Sequence, residues 1–163
     1  MKYINYAIYG NTGSGKTAKC LQIIKENQEN FDNILYINVN CDSSIISNDK
    51  MYVLSLFYIE DILAFLQNLE PSNSLICIDD FACVDAKEET VNAKMDSLYG
   101  ALHTANNAFC VKEMVLKEFL KNIITVIKQL QKRGVSFILV NPLEKQIRYM
   151  NMETIKLTKD KEM

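Results

Sequence analysis

Eight consecutive residues carry the densest chemistry in this chain: Gly10, Asn11, Thr12, Gly13, Ser14, Gly15, Lys16 and Thr17. Gly13 and Gly15 let backbone close on a ligand where a Cβ would clash. Lys16 adds a point charge and Thr17 a hydroxyl. Three of the chain's five glycines fall in this run, so the backbone freedom is concentrated where the charge is. Backbone N–H groups curled inward at the start of a helix make a cradle for an anion, above all for a polyphosphate. The run meets the pattern G-x-x-x-x-G-K-[ST] in full, the phosphate-binding loop (P-loop) of proteins that hold ATP or GTP. In that pattern Lys16 reaches the β- and γ-phosphates and the Thr17 hydroxyl ligates Mg²⁺. The pattern needs a strand before it and a helix after it. Tyr3–Tyr9 reads as a short apolar strand, and Lys16–Glu29, with Cys20, Ile23 and Ile24 at helical spacing, reads as the helix.

A second constellation lies downstream. Leu75-Ile76-Cys77-Ile78-Asp79-Asp80 is an apolar run that ends in acid. At the carboxyl edge of a sheet, where α/β ligands bind, Asp79 is placed to hold Mg²⁺ through its water shell. Asp80 has two readings: a group that orients or activates an attacking water, or a turn residue that caps a helix.

The elements that must position these residues alternate between strand and helix. After the first strand and helix come strands at Asn33–Val39 and Tyr52–Phe57, then a helix over Ile59–Leu69 with Ile59, Ile62, Leu63, Leu66 and Leu69 on one face. Pro71-Ser72-Asn73-Ser74 is a break, and Leu75–Asp79 a strand apolar enough to be covered on both faces. Residues 85–110 read as the least regular stretch. Val111–Lys132 reads as a long amphipathic helix with Gly134 at its C-cap. Its stripe of Val111, Met114, Val115, Phe119, Ile123, Val126, Ile127 and Leu130 is core-facing, and its lysines form a solvated side. Val135–Asn141 is a strand stopped by Pro142, and Glu153–Thr158 a last strand. The alternation predicts an α/β fold with a mainly parallel central sheet flanked by helices, in a single domain over residues 1–163.

Composition narrows the function classes. The 163 residues are 48% hydrophobic and 23% charged, with a formal net charge of −2. That mild acidity gives no global attraction to nucleic acid or anionic membranes. No apolar window is long enough to span a bilayer. The amino terminus runs directly into the first strand, which argues against a signal peptide and for a cytoplasmic protein. The five cysteines form no C-x-x-C pair, and with His103 they make a poor zinc set. They read as reduced thiols.

In its order of elements the chain resembles the ATPase core of RecA/RadA-type recombinases, over nearly its whole length. Leu75–Glu89 resembles that family's Walker B strand and the segment after it. The helix before Val135–Asn141, and that strand itself, resemble the elements ending in the family's Asn-Gln pair. Glu153–Lys161 resembles a late strand whose lysines reach a neighbour's nucleotide, with Lys159 and Lys161 on the K-x-K pattern. The resemblance implies a RecA-like P-loop core of the single-domain phage or plasmid type, with ATP and Mg²⁺ as cofactors. It implies ATP hydrolysis in DNA recombination, repair or replication. It further implies assembly into homo-oligomers or with another RecA-like protein, and single-stranded DNA as a candidate partner. Asn141, Lys159 and Lys161 join the loop residues as nucleotide contacts on this basis. The departures are specific. The family's catalytic Glu beyond the second strand is replaced by Asn40, which leaves Asp42 or Asp80 to serve as catalytic base, and the Gln after Asn141 is Pro142. The family's Gly/Thr-rich DNA loop is absent, with only Leu143–Met152 in its place. Hydrolysis is therefore expected to be slow or assembly-dependent.

Two rival readings remain open. One is a P-loop kinase, disfavoured because the chain has only Arg133 and Arg148 for clamping phosphates, against sixteen lysines. The other is a nucleotide-dependent interaction protein with little hydrolysis, favoured by Asn40 and Pro142. For DNA contact the stretch 85–110 offers Lys87 and Lys94, but sets Asp85, Glu88, Glu89 and Asp96 beside them. Tyr99, His103 and Phe109 could stack on bases, although such aromatics more often cover a local core. Lys145, Arg148, Lys156, Lys159 and Lys161 are the remaining basic candidates, and a solvated strand edge guarded by lysines is the more ordinary account of this tail.

Overall fold

The computed structural model describes residues 4–100, 105–148 and 150–158. Six strands form one sheet: β1 (Asn5–Gly10), β2 (Asn33–Asn38), β3 (Met51–Leu54), β4 (Ser74–Asp79), β5 (Ser136–Val140) and β6 (Glu153–Leu157). Their order is β3-β2-β4-β5-β1-β6. Every pairing is parallel, so all six carboxyl ends emerge at one edge. β5 lies between β1 and β4, which brings the residue after β5 between the ends of those two strands.

Helices cover both faces, and the strands alternate between them. On one face α1 (Lys16–Asn27) packs Cys20, Ile23 and Ile24 over Ile8, Tyr36, Leu75, Cys77 and Ile138. On the other, α2 (Ile59–Gln67) and α4 (Ala105–Lys132) bury Ile62, Leu66, Ile123 and Ile127 against Ala7, Ile37, Ile76, Ile78, Phe137 and Leu139. Leu75 and Cys77 serve the first core while Ile76 and Ile78 serve the second. All six residues of β4 are buried for that reason, and its near-continuous apolar run is the mark of a strand covered twice. α4 ends as expected: Gly134 has φ +94°, Val135 N–H donates to Leu130 O at 3.1 Å, and Gly134 N–H donates to Gln131 O at 3.1 Å. This is the Schellman arrangement that glycine makes cheap.

The largest correction concerns residues 85–110. Instead of irregular chain, they hold α3 (Glu88–Tyr99) and the start of α4 at Ala105, six residues earlier than the stripe beginning at Val111 suggested. α3 buries only Met95, so its apolar period is too thin to read. The first turns of α4 hold Asn106 and Asn107, which are poor helix formers. β3 is also shorter than expected: after Leu54 the chain leaves the sheet, and Asp85 ties down the following stretch. Asp85 N–H donates to Phe57 O at 3.2 Å, and Asp85 O accepts from Ile59 N–H at 2.7 Å. The connection after Pro142 contains a short helix, α5 (Glu144–Ile147). Among the described residues no helix is long and apolar enough to cross a membrane.

Candidate functional site

The residues singled out by type meet at the carboxyl edge of the sheet. β1 delivers Gly10, and the loop turns through Gly13 (φ +78°) and Gly15 (φ +89°) into α1, whose first residue is Lys16. Both φ values lie in the left-handed region that glycine enters without strain. Gly10 needs its missing side chain for another reason: a Cβ there would overlap Ser14 Oγ and lie 3.0 Å from Leu157 O on β6. The first turn of α1 has no side-chain cap and no acidic residue, so its amides keep their positive potential for an anion. Lys16 Nζ donates to Asn11 O at 2.8 Å, which folds its charge back over the loop.

The acid end of β4 faces this loop. Thr17 Oγ1 donates to Asp79 Oδ2 at 2.6 Å, joining residues 62 apart in sequence. The same oxygen accepts the buried Tyr36 hydroxyl from β2. Asp79 is 1% exposed, and its other oxygen, Oδ1, is buried with no hydrogen-bond partner. A buried acceptor left unpaired costs roughly 1–3 kcal/mol. Such an atom beside a phosphate-type loop fits a water held by a divalent cation. Burial pushes the Tyr36 hydroxyl far above its usual range, with Cys77 and Asp79 adding to it, so it is a fixed donor.

Asp80, joined to Asp79 by a cis peptide bond, takes the capping role of its two expected readings and also faces the cavity. Its Oδ1 caps the short 3₁₀ turn Phe81–Cys83 by accepting from Ala82 N–H at 2.8 Å. Its Oδ2 accepts from Asn141 Nδ2 at 2.9 Å. Asn141 (φ +50°) also accepts Gly10 N–H on Oδ1 at 3.3 Å. One amide therefore links the first loop residue to Asp80, a bridge that exists because β5 lies between β1 and β4. Burial pushes the Asp80 carboxyl up, and Asp79's charge adds to this. The Ala82 N–H, the Asn141 amide and Lys16 act in the opposite direction. A carboxylate held above its ordinary value is a better proton acceptor near neutral pH.

Thr12, Gly13, Gly15, Lys16, Thr17 and Ala18 line one side of a cavity of about 400 Å³, with Asn40, Asp79, Asp80 and Cys83 on the other. Comparison with known protein families finds no match to this chain, and comparison with curated proteins finds none either.

The structure does not bring every candidate here. Asp42 is not among the residues lining the cavity. It is exposed on the turn after β2, where its carboxylate accepts from Ser44 Oγ at 2.7 Å and Ser44 N–H at 2.9 Å. Those two bonds hold its carboxyl below the usual range. Its backbone is clamped by Asn38, whose Oδ1 accepts Asp42 N–H and whose Nδ2 donates to Asp42 O. Asn40 reaches the cavity wall instead. Asn141 acts behind the wall, through Gly10 and Asp80. Lys159 and Lys161 lie outside the described residues, as does His103. Sequence reasoning missed Tyr36, which looked like one more strand residue. The available signal was pairing: Asn38 sits opposite Asp79 and Tyr36 opposite Cys77, so a Tyr two residues before Asn38 shares a face with Asp79.

Proposed function

We propose that this chain is a RecA-like P-loop ATPase core that binds ATP with Mg²⁺ in the cavity between Gly10–Thr17 and Asp79–Asp80. In this reading hydrolysis is slow or assembly-dependent and serves DNA recombination, repair or replication. The observation that carries the nucleotide reading is the 2.6 Å bond from Thr17 to Asp79. A loop hydroxyl and a strand carboxylate 62 residues apart converge, and the free Asp79 oxygen beside them is buried and unpaired. Thr17 directly, and Asp79 through water, are the residues to hold Mg²⁺, which when bound would neutralise phosphate charge. Lys16 and the α1 amides bind the phosphates and stabilise the charge that builds as the terminal P–O bond breaks. Asp80 accepts the proton of the attacking water, whose oxygen forms the new bond to phosphorus as ADP departs. Asn141 orients Asp80 for that step. The DNA context rests on the resemblance in sequence.

Asn40 in the cavity wall, with Asp42 turned away, favours a second reading: a protein that binds ATP to change its assembly and hardly hydrolyses it. Equilibrium binding and turnover of ATP, with and without single-stranded DNA, separate the two readings. Tight Mg²⁺-dependent binding that Lys16→Ala weakens at least about a hundredfold supports the site itself. DNA-stimulated turnover then supports the recombination-type ATPase, and binding without turnover supports the assembly protein. Absence of Mg²⁺-dependent nucleotide binding would overturn both.

A further inference from the structure

We propose that Tyr36 is a positioning residue for the metal, which decides the Asp79 oxygen that faces the cation's water shell. The proposal rests on the nucleotide reading above and deepens it. Tyr36 is 0% exposed. Its ring lies in the α1-side core with Cys20, Leu75 and Cys77, so its direction is fixed by packing. It stands one pleat back from Asp79 across the β2–β4 pairing, a diagonal separation that a phenol's length spans. Its hydroxyl and that of Thr17 both donate to Asp79 Oδ2.

Two donors on one oxygen have a consequence for the other. A carboxylate held at Oδ2 from the strand side and from the helix side cannot rotate freely about its terminal torsion. Oδ1 is thereby left as the buried acceptor without a partner, on a residue that lines the cavity. Thr17 supplies one of these donors and is also the residue expected to ligate the metal, so Tyr36 supplies a second, independent hold on Oδ2 from the strand side. Tyr36 has no such second duty. It is a donor with no route to solvent and with only this acceptor in reach among the described hydrogen bonds. Partners of this kind behind a metal-binding group commonly account for a 10–100-fold effect on metal affinity.

The test separates metal positioning from ordinary packing. Tyr36→Phe keeps the ring and removes only the donor. A fluorescent ATP analogue is titrated in EDTA, and Mg²⁺ is then titrated into the protein–analogue mixture. The expected result is a half-saturating Mg²⁺ concentration raised about tenfold, with binding in EDTA unchanged within about twofold. Equal weakening with and without Mg²⁺ would overturn the proposal and make Tyr36 a packing residue. An unchanged Mg²⁺ requirement would overturn it too. A second comparison guards against a folding defect: in an Asp79→Asn background, Tyr36→Phe should produce no further change in Mg²⁺ dependence, since its effect runs through the carboxylate. An additive further loss there would count against it. Wild-type protein that binds no nucleotide with Mg²⁺ overturns the nucleotide reading along with this one, whereas Mg²⁺-dependent wild-type binding with an indifferent Tyr36→Phe overturns this one alone.

Discussion

Two strand ends meet the same cavity and are built in opposite ways. At the end of β4, Asp79 and Asp80 are held by Thr17, Tyr36 and Asn141, partners 62, 43 and 61 residues away in sequence, and only Asp80 Oδ1 is bound locally, by Ala82 N–H. At the end of β2, the turn from Asn38 to Ser44 satisfies itself, with Asn38 bonding Asp42 and Asp42 bonding Ser44 over separations of four and two residues. The first region ties carboxylates to distant elements and leaves one oxygen unpaired. The second commits its carboxylate to the N–H and hydroxyl of Ser44, two residues on. A carboxylate fixed from several distant elements is pre-organised toward a common ligand, whereas one bonded only within a local turn stabilises that turn. Within the proposed ATPase reading, the difference favours Asp80 over Asp42 as the proton acceptor.

The largest effect expected from this contrast is on turnover by Asp80→Asn. Loss of a general base costs typically about 10²–10⁴-fold. ATP binding should stay within about threefold, because Lys16, Thr17 and Asp79 are untouched. Single-turnover hydrolysis measured beside equilibrium binding checks both halves. A variant that keeps its rate would remove Asp80 from the chemistry and leave the two strand ends alike.

How much of this was legible in the residues themselves follows from the same contrast. The strand, loop and helix around Gly10–Thr17 could be placed because the pattern is consecutive, and β4 because burial on both faces forces an unbroken apolar run ending at Asp79. The parallel α/β architecture followed from the alternation of those periods. What could not be read depends on strand order. Tyr36 becomes a partner of Asp79 only because β2 pairs with β4, and Asn141 bridges Gly10 and Asp80 only because β5 is inserted between β1 and β4. Linear spacing contains neither fact. α3 was hidden for a different reason: a helix that buries Met95 alone scarcely prints a period on its sequence.

A smaller effect concerns stability. Burial and Asp79's charge raise the Asp80 carboxyl in the folded protein. A raised folded pKa means that the native state holds the proton more tightly than the unfolded chain. This contribution favours folding on the acid side, where the group is protonated, and is lost as pH rises from the unfolded value through the folded one. Asp80→Asn removes that dependence. In chelator-containing buffer, urea midpoints of wild type should decline relative to those of the variant between the ordinary carboxylate range and neutrality. Parallel curves would mean that the Ala82 and Asn141 bonds fully offset the burial.

The smallest effect is expected at Asp42, and it is the sharpest check on the contrast. Asp42→Ala removes the acceptor for both Ser44 donors but leaves the Asn38 clamp, which grips backbone atoms. The turn should loosen without unfolding. Turnover should stay within about twofold, since exposed substitutions away from a site rarely do more. The sign of any pH effect is opposite to that at Asp80: Ser44 lowers the Asp42 carboxyl, so its contribution is present above the unfolded pKa and fades as pH falls through the folded one. A hundredfold loss of turnover in Asp42→Ala would mean that the turn swings its carboxylate into the cavity during reaction. The proton would then belong to the end of β2, and Asp80 would be left as the cap of a 3₁₀ turn.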